Sequence, residues 1–241
     1  MPQIDISPDQ IVYFRWGFAT LSATIVFTWV VMVFLVTVAW LTTRHLGAGR
    51  SVSRRQTLFE MLITFMRSQI REITNQDPDR YLPFIGSLFL FISISNLLEI
   101  VPGYRAPTGS INTTAALALV VFFAVPIFGI AEQGVVGYLK HYAQPTPLML
   151  PFNIIGELSR TLALAVRLFG NVMSGSLVVA VLVAIVPIFV PIVMEVLGLL
   201  IGQVQAYIFA VLATVYIGAA TRRDNEVTNS VVRISPEVKN G

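Results

Sequence analysis

From Thr20 to Leu41 the chain runs without a single charged residue, and four more long apolar stretches follow it. A hydrocarbon core of ~30 Å takes about 20 helical residues to cross. A segment in lipid must satisfy its own backbone hydrogen bonds, which a helix does. The predicted spans are 20–41, 81–101, 112–138, 147–186 and 189–220, with Pro126 expected to kink the third. Composition agrees. Hydrophobic residues make up 55% of the chain and charged residues 12%, whereas soluble domains average about 25% charge. A water-soluble fold of this size could not cover its apolar surface. The chain reads as one all-α integral membrane domain, with the lipid bilayer as its solvent.

Several classes of chemistry are excluded at this stage. Without cysteine there is no disulfide and no thiolate ligand, and the two histidines, His45 and His141, fall in connecting segments. The sequence carries no HExxH, no Walker-type glycine loop and no GxSxG elbow, so neither cofactor nor metal is expected. The formal charge of +3 is sorted by membrane side, which speaks against nucleic acid. Asp5 and Asp9 stand where a secretory signal would be basic.

Between the first two spans, residues 54–75 have a different pattern. Leu58, Met61, Leu62, Phe65, Met66 and Ile73 recur at helical spacing, with Glu60, Thr64, Arg67, Ser68 and Arg71 opposite. This predicts an amphipathic helix on the membrane surface; a helix packed on a soluble partner fits the same pattern. Orientation follows from arginine. Arg44, Arg50, Arg54, Arg55, Arg67, Arg71 and Arg80 lie on one side, joined by Arg222 and Arg223 in the tail 221–241, against Arg15 and Arg105 on the other. The positive-inside rule places the tail in the cytoplasm and the N-terminus outside.

The fourth span is too long for its task. A helix over 147–186 would extend about 60 Å, twice the core. The link Pro187-Ile188-Phe189 is short, so the last two spans are expected to form a long, strongly tilted antiparallel hairpin, whose long side implies a partner in the membrane.

Arg167 sits midway along that fourth span. A charge at the bilayer centre costs roughly 2.5–3.5 kcal/mol on insertion scales, and arginine does not escape by losing its proton. One resolution is an arginine–carboxylate pair that fixes helix packing. Glu157 and Arg160, near the cytoplasmic end, fit that description. Arg167 has no acid at i±3 or i±4, only Ala163, Asn171 and Ser174 on its face. The acids divide by side: Glu99 and Glu195 toward the outer ends of their spans, Glu157 and Glu132 toward the inner, with Gln205 near the depth of Arg167. Together they make two half-paths that do not join. Gly198 and Gly202 form a GxxxG spacing, read mainly as close helix packing.

The run Arg167-Leu168-Phe169-Gly170-Asn171 resembles the signature of the a subunit of F-type ATP synthases. Gln203 to Phe209 looks like that family's last-helix motif, and Ser95 to Pro102 its mid-chain Asn/acid–Pro segment. The stretch Ser22 to Trp29 is similar to the alternative, often sodium-linked branch of these ATPases. The resemblance covers residues 55–220. It implies a non-catalytic stator beside a rotating ring of c subunits, attached to peripheral b subunits in an energy-transducing membrane such as a bacterial or archaeal plasma membrane. It implies Arg167 as the essential arginine with Gln205 opposite. Asn96, Glu99, Asn171 and Glu195 would belong to or border the outer path, and Glu157 the inner. Ser176 stands where many members carry an acid or histidine, and Thr161 where many carry proline. A self-contained transporter or channel is the competing reading, although the sequence lacks the internal repeat common in such proteins.

Overall fold

The computed structural model of the chain describes residues 12–16, 19–43, 54–101, 103–143, 149–185 and 189–221. Six helices dominate: α1 (Ala23–Thr43), α2 (Arg54–Thr74), α3 (Leu82–Leu97), α4 (Ile111–Ala143), α5 (Met149–Ile185) and α6 (Phe189–Thr221). All but α2 are long and apolar enough to cross a membrane, α3 together with the 3-10 turn that continues it to Ile100. The 37 residues of α5 and 33 of α6 extend roughly 50–55 Å at 1.5 Å per residue, well beyond the ~30 Å of a hydrocarbon core. The tail 222–241 and the link at residues 186–188 lie outside the described residues.

Two details depart from expectation near the termini of spans. Strands β1 (Val12–Trp16) and β2 (Ala19–Ser22) form an antiparallel hairpin, so the first membrane helix begins at Ala23 rather than Thr20. The β-branched and aromatic run VYFRW suits an extended chain. In α4 the helical geometry breaks at Gly134 (φ 74°, ψ 165°) while Pro126 stays inside the helix. Glycine adopts that backbone without a Cβ clash. The break folds the end of α4 back on itself, and the Tyr138 ring lies against Gly129.

Helix α6 is the hub, and small residues make it so. Ala206, Phe209 and Ala213 are buried along it against Leu88 and Ile92 of α3, Val121 of α4, and Leu164 and Leu168 of α5, and Ala210 and Ile217 are buried with Met66 and Ile70 of α2, Ile85 of α3 and Val125 of α4. A Cβ on Gly202 would stand 3.0 Å from the Asn96 Cβ, and one on Gly218 3.0 Å from Thr74 Cγ2. Close approach of this kind, rather than a hydrophobic drive, holds helices together in lipid. Gly198 has open space beside it, so only the second glycine of the GxxxG pair serves close packing.

Helix α2 lays Met66, Ile70 and Thr74 into the bundle. Tyr207 Oη donates to Gln69 Oε1 at 2.6 Å and fixes the register of α2 on α6. Met61, Ile63 and Phe65 stay exposed, so the buried stripe is rotated from the expected one and an apolar edge is left outward. At the same end of the bundle Gln76 Nε2 donates to the Thr221 carbonyl and Gln133 Nε2 to that of Ala220, each at 3.2 Å. These bonds satisfy carbonyls that a helix end leaves orphaned. Arg80 pairs with Glu132 beside them.

Candidate functional site

The middle of α5 is divided by helical geometry. Leu164, Ala165 and Leu168 are buried, and the two leucines pack into the α3–α6 core. At alternating spacings of three and four, Arg160, Ala163, Arg167, Gly170 and Ser174 recur on an exposed face. Nothing lies within 4 Å of where a Cβ on Gly170 or Gly175 would be. The result is a shallow seam of small side chains with one guanidinium at its centre. No carboxylate among the described residues forms an ion pair with Arg167; the pairs present there, Arg67–Asp79 and Arg80–Glu132, lie elsewhere.

Two cavities flank this arginine along the helix. The larger, about 700 Å³, is lined by Asn96, Glu99, Tyr104, Asn171, Glu195 and Gly198, among others. It opens at the end of the bundle where α3 finishes and α6 starts. The smaller, about 300 Å³, lies toward the opposite end and is lined by Asn153, Glu157, Arg160, Thr161 and Tyr216. They share no lining residue. On α5 the smaller cavity ends at Thr161 and the larger begins at Asn171. Arg167 falls between them, about 9 Å of helical rise from one and 6 Å from the other. On α6, Gln205 falls in the corresponding gap between Gly202 and Tyr216.

Most residues singled out from sequence gather here. Glu99, Asn171, Glu195 and Asn96 meet at the larger cavity, and Glu157 lines the smaller. Asn96 is buried, and its polar atoms are engaged: Nδ2 donates to the Gly202 carbonyl at 2.9 Å, and Oδ1 accepts from Thr108 Oγ1 at 2.9 Å. Gln205 is buried while Arg167 is exposed, and no hydrogen bond joins them. The Gln205 amide nitrogen finds no partner among the described residues. Arg160 rests over the Tyr216 ring, 5.8 Å from its centre. Ser176 lies within α5, but its side chain is outside the described residues. Sequence reasoning missed Tyr104 and Tyr216; both are aromatic residues with a polar tip, placed near helix ends where such groups sit at a wet boundary.

The model of the family described as ATP synthase A chain matches residues 25–218. A protein from Acaryochloris marina named ATP synthase subunit a 2 is 56% identical over 229 residues, covering 94% of this chain and 98% of that one. ATP synthase subunit a 1 of Chlorobaculum parvum is 57% identical over 224 residues, covering 93% and 99%. ATP synthase subunit a of Albidiferax ferrireducens is 56% identical over 217 residues, covering 90% and 94%. Identity of that extent over nearly the full length, on a bundle of five membrane-length helices, assigns the chain to the ATP synthase A chain family.

Proposed function

We propose that this chain is the membrane stator of a rotary F-type ATP synthase, in which Arg167 is the fixed charge separating two half-paths for the coupling ion. The chain is ion-translocating and does no covalent chemistry of its own. The observation that carries the reading is the isolation of Arg167: exposed, unpaired with any described acid, and set between two cavities with no common wall. Facing lipid, the guanidinium would cost roughly 2.5–3.5 kcal/mol or more. A carboxylate on a neighbouring ring of c subunits removes that cost.

The chemistry then follows from charge. A guanidinium ~4 Å from a carboxylate favours its ionised form by about 4 kcal/mol at an effective dielectric near 20, or roughly three pKa units downward. A loaded, neutral ring carboxylate reaching Arg167 gives up its ion into one half-path and reloads from the other after passing. Glu99 and Glu195 serve the outer path, with Asn171 and Asn96 on its wall and Ser176 near it in sequence; Glu157 serves the inner. Gln205, buried in the gap, supplies an uncharged polar group where a second charge would be repelled. Arginine suits the central position because it keeps its proton when desolvated, as lysine does not. The larger cavity faces outward, with the N-terminus, and the basic segments and tail face the cytoplasm, where b subunits attach. Proton and sodium ion are both compatible with this chain's residues, since the ring's own carboxylate site sets the choice.

The test is Arg167→Ala in the assembled complex reconstituted into liposomes. Ion-driven ATP synthesis falls to background while the complex still assembles. Retained synthesis would end the proposal.

A further inference from the structure

Two buried hydroxyls, Ser95 Oγ and the Oη of the cavity-lining Tyr104, neighbour each other and have no other hydrogen-bond partner among the described residues. Ser95 is wholly out of solvent, at 0% exposure. It lies in the last turn of α3, four residues before Glu99 in the 3-10 turn that follows, while Tyr104 comes from the connection to α4 and lines the cavity together with Glu99 and Glu195. A hydroxyl has one donor and two lone pairs, so two that meet only each other keep capacity for water or an ion. Asn96, by contrast, has a protein partner at each end of its amide.

Tyr104 is also held in place. The Phe27 ring of α1 meets it edge-on, with centroids 4.9 Å apart. Burial raises the phenol above its ordinary value; a hydrogen bond with the Ser95 hydroxyl opposes this and the Glu99 charge adds to it. The phenol is therefore protonated throughout the neutral range, both donor and acceptor. The charged groups around it are Glu99 at the end of α3, Arg105 next in the chain, and Glu195 on α6. Helix α5 presents the uncharged Asn171 and Ser174 to the same space.

We propose that Ser95 and Tyr104, with the carboxylate of Glu99, form a fixed oxygen-lined station that receives the transported hydrated monovalent cation before it moves deeper. The station rests on the reading of the larger cavity as the outer half-path. Hydroxyl oxygens and a carboxylate are hard ligands, suited to a hydronium or a sodium ion and to the water that accompanies either. In the station the phenol and the serine hydroxyl turn lone pairs toward the cation, and Glu99 supplies the negative charge. Tyr104 and Ser95 thus act as positioning residues for ion loading from one side only.

The experiment uses the intact complex in liposomes, with ATP synthesis measured against cation concentration on each side separately. One series varies pH at fixed sodium, the other sodium at fixed pH, and the series that responds names the cation. Tyr104→Phe, which keeps the ring, raises the outer-side concentration for half-maximal rate about fivefold, the size of one lost hydrogen bond. Ser95→Ala shifts it in the same direction, and the inner-side dependence does not move in either variant. Gly198→Leu is the control for the cavity itself: open space beside Gly198 admits a larger side chain, which fills the path and abolishes synthesis. If both hydroxyl variants leave the outer-side dependence unchanged, or move both sides equally, while Gly198→Leu still blocks, the station is wrong and the path stands. If Gly198→Leu also leaves synthesis intact, the path reading fails with it.

Discussion

The side-chain amide of Asn96 donates to the backbone carbonyl of Gly202 at 2.9 Å, and a Cβ on that glycine would meet the Asn96 Cβ at 3.0 Å. Asn96 is thus both the tie and the tight spot between α3 and α6, at the floor of the larger cavity. Gly202→Ala forces the two helices apart or breaks the tie, at about 1–3 kcal/mol for an overpacked contact. Thermal unfolding of the purified complex detects the loss as a lowered melting temperature. Gly198→Ala, four residues earlier with open space around it, leaves that temperature unchanged or raises it.

A second tight contact lies within α4. A Cβ on Gly129 would stand 2.6 Å from the Tyr138 ring and 3.1 Å from the Ala220 carbonyl oxygen. Gly129→Ala is expected to destabilise by roughly 1–3 kcal/mol. Removing the ring as well relieves part of the clash, so Gly129→Ala with Tyr138→Ala costs less than the two single changes added together. Additive losses in a double-mutant cycle of melting temperatures would show that the ring does not press on that glycine.

The last turn of α6 depends on side chains from other elements. Gln76 donates to the Thr221 carbonyl and accepts from both Thr221 Oγ1 and Tyr81 Oη, the latter at 2.6 Å. Gln76→Leu leaves these groups unsatisfied at about 1–3 kcal/mol. Amide hydrogen exchange over residues 218–221 is expected to speed up, while exchange around residue 206 stays as it was. Uniform acceleration along α6 would mean that this cluster does not act locally.

How much of this was legible in the sequence varies with the range of the interaction. Five charge-poor stretches of membrane length announce five helices, because a hydrocarbon solvent permits little else. Glu99, Glu157, Glu195 and Arg167 could be ordered along the bundle by counting along those helices, so the first three at two cavities and the arginine between them follow from register, whereas Glu132 pairs with Arg80 instead. Contacts between helices were less legible. Gly198 and Gly202 look alike in a pattern, yet one faces a cavity and the other Asn96, and only the angle between α3 and α6 decides which. Pro126 drew attention as a helix breaker, but the break falls at Gly134, where a positive φ lets the chain turn back and place Tyr138 on Gly129. The buried stripe of α2 is rotated toward Ile70 and Thr74 because Tyr207 and Gly218 on α6 choose its register. The hairpin of β1 and β2 was hidden because the apolar residues of β2 continue directly into α1.

The central claim is that the exposed seam of α5 around Arg167 lies against a ring carrying membrane carboxylates. The chain has no cysteine of its own, and a disulfide forms only where Cα atoms approach within about 7 Å. Single cysteines at Ala163, Gly170 and Ser174, on the face of Arg167, and at Leu164 and Leu168, on the buried face, are each paired with a cysteine beside the ring carboxylate and oxidised in the assembled complex. Cross-links from the first three positions and none from the two leucines are expected. Cross-links from Leu164 or Leu168, or none from the seam of an assembled complex, would contradict the account.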